Sequence, residues 1–117
     1  MENMKILTAG DSSILIEFGK EISPEINGKI TAVVHLMKEQ HIEGVVEVIP
    51  AFSSLLVNYD PRVITYSQIR ERMEKLLKLD VKSEESVCRI FEIPVCYGGE
   101  YGPDLENIAA NAGLTPE

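Results

Sequence analysis

The chain has 117 residues and 13.0 kDa, with 44% hydrophobic and 26% charged residues, 8 Gly and 6 Pro. That composition fits one globular domain able to bury roughly two-thirds of its unfolded surface without staples, and it excludes collagen, coiled coil and extended disorder. With 19 acidic against 11 basic residues the net charge is −8 at pH 7, which repels phosphate and disfavours nucleic acid and anionic membrane surfaces as partners.

The first five residues, Met1 to Lys5, lack the basic segment and apolar run of a secretory leader, so a cytoplasmic location is expected. No apolar stretch approaches the roughly 20 residues of a spanning helix. Residues 4–9 alternate weakly and read as a strand, and Gly10-Asp11 suits a two-residue turn. In residues 12–18, Ile14, Ile16 and Phe18 fall on one face, Ser13, Leu15 and Glu17 on the other. That is a hairpin with one buried face.

Ser23-Pro24-Glu25 opens a helix, with Ser23 as cap, Pro24 at the first position and Glu25 at the positive end of the dipole. Ile26, Ile30, Val33 and Met37 continue it to near His41. Residues 45–49 form a β-branched run closed by Pro50, and residues 55–59 pair back on it. Thr65 with Gln68 is a capping box, and Ile64 with Ile69 a hydrophobic staple, for a second helix. Its buried stripe is Ile69, Met73, Leu76 and Leu77.

Residues 82–86 read as a polar linker and residues 87–97 as a last strand, with Pro94 at an edge or bulge. Gly98-Gly99-Glu100-Tyr101-Gly102 is a loop, and Pro103-Asp104 opens a third helix stopped by Gly113. Without the first strand the order is βαββαβ. The expected fold is α+β and ferredoxin-like (split βαβ). It has an antiparallel sheet with two helices on one face, an extra N-terminal strand and a short C-terminal helix.

Candidates for chemistry are few. Cys88 and Cys96 are eight apart, about 26 Å along a continuous strand, too far for a disulfide unless the chain folds back at Pro94. Both are expected as small buried side chains. His35 and His41 fall on opposite sides of a helix and cannot share a metal. The Gly98–Gly102 loop has the layout of a phosphate cradle. It lacks the P-loop Lys, however, and Glu100 and Asp104 would repel an anion, so a tight connection is expected. No catalytic, cofactor or metal residue is assigned, which leaves a binding or structural module.

Three ordered stretches carry a resemblance: GDSSILIEFG at residues 10–19, PAFSSLLVNYDP at 50–61 and IPVCYGGEYGPDL at 93–105. Together they resemble the N-terminal half of the family that contains KipI, the B subunit of bacterial 5-oxoprolinase, and allophanate hydrolase subunit 1. The resemblance implies a domain at residues 1–97, with residues 98–117 leading to a cyclophilin-like barrel. Leu114-Thr115-Pro116-Glu117, a helix start at the end of the chain, agrees with that expectation.

The resemblance also implies partners. They are that barrel together with the A and C subunits of an ATP-dependent 5-oxoprolinase, which converts 5-oxoproline to glutamate. The alternative is a sensor histidine kinase of sporulation, inhibited by docking on its dimerisation and phosphotransfer region. For partner binding, Phe52 in the 50–54 turn and Tyr97 and Tyr101 around the glycines are the candidate anchors. The alternative is that Phe52 tucks under its own hairpin and the tyrosines cap a core edge.

Overall fold

The computed structural model describes residues 4–79 and 89–116. The alternation near the N-terminus produces β1 (Lys5–Thr8) and β2 (Ser13–Glu17). They pair antiparallel, with Thr8 opposite Ile14 and Lys5 opposite Glu17. The connecting loop is one residue longer than the sequence suggests, Gly10-Asp11-Ser12. It is closed by the Ala9 N–H donating to the Ser13 carbonyl at 3.1 Å. Gly10 takes φ 75°, a left-handed conformation that glycine adopts without a steric cost.

Helix α1 (Pro24–Gln40) starts where Pro24 permits and ends at His41, which adopts φ 44°. The expected side-chain cap does not form: Ser23 sits at the cap position, but its hydroxyl makes no bond to the helix. Only its carbonyl enters the ladder, accepting from the Asn27 N–H at 3.0 Å. Strands β3 (Val45–Pro50) and β4 (Ser54–Tyr59) form the second hairpin, with a bulge between Val45 and Glu47.

Helix α2 (Tyr66–Lys78) follows its local signals closely. The Gln68 N–H donates to Thr65 Oγ1 at 3.3 Å, and the Thr65 N–H donates to Gln68 Oε1 at 3.0 Å. This reciprocal pair satisfies two amides that the first helical turn leaves open. The staple residues Ile64 and Ile69 are both buried, as are Met73, Leu76 and Leu77.

The sheet order is β1-β2-β4-β3, antiparallel throughout. Ile14 lies opposite Val57 and Ile16 opposite Leu55, and all four are 0% exposed. Ile30, Val33 and Met37 from α1 and the α2 stripe join the same cluster. Both helices therefore cover one face, and the α+β ferredoxin-like expectation holds. Each fully buried side chain of this size contributes roughly 1.5–3 kcal/mol before conformational entropy is counted.

The last expected strand is the correction. Residues 89–97 adopt no regular secondary structure, while Val87 and Cys88 lie outside the described residues. In the split-βαβ order that strand would occupy the free edge of β2. β1 holds that edge instead, through a short local hairpin. Outside any strand, Ile90, Phe91, Ile93, Val95 and Tyr97 are between 63% and 89% exposed. Cys96 is exposed for the same reason, contrary to its expected burial.

Contacts divide the chain into two units, Met1–Ser86 and Val87–Glu117. The second contains a 3-10 turn (Gly99–Tyr101) and α3 (Leu105–Ala112), which ends at Gly113 with φ 68°. Its tight loop depends on Gly102, where a Cβ would lie 2.6 Å from the Gly98 nitrogen. The described residues contain no cis peptide bond, so Pro94 is trans.

Candidate protein-interaction surfaces

Phe52 is set by the hairpin that carries it. The Ala51 N–H donates to the Ser54 carbonyl at 2.8 Å, which closes a loop of Phe52 and Ser53. Ser53 is buried at 9% exposure, and its carbonyl accepts from the Phe18 N–H at 2.9 Å. Anchored on both sides, the loop turns Phe52 outward, 56% exposed, rather than under the hairpin. Tyr97 and Tyr101 are 81% and 80% exposed in the second unit, on either side of the glycines. The three candidates thus divide between the units, Phe52 in the first and both tyrosines in the second.

The open face of the sheet carries a feature that no chemical motif marks. Leu7, Leu15, Leu56 and Ile49 form one cross-strand row on the side opposite α1 and α2. Its sequence signal is that Leu15 and Leu56 are apolar at positions facing away from the buried set. Next to the row, Ser13 Oγ donates to Asn58 Oδ1 at 2.6 Å, and Asn58 Nδ2 donates to Glu47 Oε2 at 3.1 Å.

Ionised groups lie at the periphery. Asp60 receives the Arg62 guanidinium at 2.9 and 3.0 Å and the Arg62 backbone N–H at 2.9 Å. The guanidinium hydrogen bond, then the backbone one, holds the Asp60 carboxyl below the usual carboxylate range. Glu71 is likewise lowered, first by its hydrogen bond from Lys75 at 2.8 Å. Both are surface ion pairs of the ordinary kind, on a turn and along a helix. Among the described residues, no three His, Cys, Asp or Glu side chains cluster as metal ligands would. None of their helices is long and apolar enough to cross a membrane.

The chain is similar to several known proteins. Residues 4–117 match the family described as carboxyltransferase domain, subdomain C and D. The chain is 42% identical to the B subunit of 5-oxoprolinase from Bacillus subtilis, over 92% of this chain and 49% of that protein. It is similar to the crystal structure of a conserved uncharacterized protein of Pyrococcus horikoshii, with 38% identity and TM-score 0.61, over 96% of this chain and 51% of the other. It is also similar to the N-terminal domain of the histidine kinase inhibitor KipI from Bacillus subtilis, with 32% identity and TM-score 0.56. That match covers 64% of this chain and 84% of the other. The chain spans about half the length of the curated relatives it matches.

Proposed function

The chain belongs to the family of carboxyltransferase domains, subdomain C and D, and on that premise we propose that it is a protein-interaction domain of the B subunit of a 5-oxoprolinase. Its role is to hold a place in an assembly with the A and C subunits that opens 5-oxoproline to glutamate at the cost of ATP. The observation that carries this reading is the 42% identity to the B subunit of the Bacillus subtilis 5-oxoprolinase, spread over 92% of the chain. The surface is consistent with it: Phe52, Tyr97 and Tyr101 present aromatic side chains of the kind that anchor partners.

Residues 98–117 lead, in this proposal, to a cyclophilin-like barrel that completes the subunit, in the cytoplasm. The full-length parent, co-expressed with its neighbouring subunits, is expected to co-purify with them and to support ATP-dependent cleavage of 5-oxoproline. Neither a complex nor activity would remove the reading.

A second reading is favoured by one specific observation, the likeness to the N-terminal domain of the kinase inhibitor KipI at 32% identity. On it, the acidic domain docks on a sensor histidine kinase, and complementary charge raises the association rate more than the affinity. Autophosphorylation of a partner kinase should then fall with added domain. A rate unchanged at excess domain rejects it.

A further inference from the structure

The apolar row on the open face is one side chain wide. The register sets Leu7 beside Leu15, Leu15 beside Leu56, and Leu56 beside Ile49, one residue from each strand. Leu7 is 41% and Ile49 42% exposed, and the two central leucines are half-buried. Polar rows border it, Lys5, Glu17 and Ser54 on one side, Ser13, Asn58 and Glu47 on the other. With strands about 4.8 Å apart, the row is about 14 Å long between its end residues.

We propose that this row is the docking line for a single amphipathic helix of a partner protein. The helix lies across the strands, with its apolar stripe on the leucines and Lys or Arg along its flanks. The inference rests on the reading of this domain as an interaction module and names the surface that serves it.

Three properties select that occupant. Apolar residues on a helix stripe recur about every 5.2 Å along its axis, close to the strand spacing of about 4.8 Å, so four successive knobs meet four columns. An extended strand presents same-face side chains about every 6.7 Å and loses step with the row after two residues. A second copy of the chain is disfavoured by area. The flat face projects to on the order of 300 Å², against about 800 Å² per partner in a stable interface. Charge then sets the flanks: Glu17 and Glu47 against the single cation Lys5 border the row, in a chain of net charge −8, which draws a cationic helix. The row itself contains no aromatic side chain, so it offers no stacking platform for bases.

The probe is a helix-stabilised peptide of about 16 residues, with leucines spaced three and four apart and lysines beside them. It is titrated into the 117-residue chain while the methyl resonances are recorded by NMR. The methyls of Leu7, Leu15, Ile49 and Leu56 are expected to shift together. Leu15→Glu is expected to weaken binding at least about tenfold with the melting temperature unchanged, and Gln40→Ala, exposed at the end of α1 on the other side of the sheet, to leave it as it is. If Leu15→Glu lowers the melting temperature, Ile49→Glu at the exposed end of the row replaces it.

Absence of shifts at millimolar peptide, or shifts elsewhere, overturns the proposal. So does equal binding of an isomer with alternating Leu and Lys, or dilution-dependent shifts of the same methyls without peptide, which would identify a second copy as occupant. The parent carrying Leu15→Glu separates the two readings. If it still co-purifies with its subunits at the wild-type level, this surface is wrong and the interaction role stands. If the wild-type parent captures no subunit, the role itself fails.

Discussion

Leu55 and Leu56 are neighbours on β4 with opposite fates, and truncating each tests the one-sided sheet. Leu55 is 0% exposed, facing Ile16 and the helices. Leu56 lies half-buried on the open face, between Leu15 and Ile49. Leu55→Ala removes three buried carbons from a site packed by two helices and two strands, so the surroundings cannot collapse fully into the cavity. The expected loss is about 3 kcal/mol, within the 2–5 kcal/mol of such truncations. A unit of this size has a total stability on the order of 4–12 kcal/mol. At an m-value of about 1 kcal/mol/M the urea midpoint should fall by about 3 M, and the melting temperature by roughly 12–24 °C. Leu56→Ala leaves no enclosed cavity, and its cost should be under about 1 kcal/mol. Urea titrations of both variants, followed by far-UV circular dichroism, give the comparison. Equal losses would refute the reasoning, because the open face would then be as buried as the core.

Other substitutions test the local devices. Thr65→Ala breaks the capping box and should cost about 1 kcal/mol, read as a lower urea midpoint. Gly44 takes φ 94°, and a Cβ there would lie 2.5 Å from Ile64 Cγ2. Gly44→Ala should therefore cost about 2 kcal/mol or more. Gly10→Ala at φ 75°, with nothing within 4 Å, should cost only about 1 kcal/mol. On pH, the Asp60 and Glu71 carboxyls are held below their usual range, so the unfolded chain takes up their protons first. Their contribution is present above about pH 4 and is lost as the pH falls through their folded values. Asp60→Asn should flatten the fall in urea midpoint as the pH drops below about 4, and a fall as steep as the parent's would reject the pairing.

The candidate surfaces were partly legible from the residues. Phe52 could be placed at a hairpin tip, because Pro50 and the small residues after it signal a turn. Its outward direction depended on the Phe18 N–H bonding Ser53 across the sheet, which local sequence does not encode. Leu15 and Leu56 could be assigned to the outer face by period-two alternation, yet not to one row. A row requires the register of all four strands.

Sequence by itself determined the elements whose signals are local. Thr65, Gln68, Ile64 and Ile69 set the start of α2 through backbone amides and contacts within one turn. Ile14, Ile16, Leu55 and Val57 set which face of each central strand is buried, since alternation has only two outcomes. Tertiary structure decided which segment completes the sheet. Residues 4–9 and 87–97 both read as strands, and β2 has one free edge. The N-terminal segment reaches it across a three-residue loop, whereas the later segment would have to close a loop of roughly 75 residues, an entropic difference of about 3 kcal/mol for a flexible chain. β1 holds that edge, and residues 89–97 stand outside any strand with their apolar side chains exposed, an outcome that no local pattern expresses.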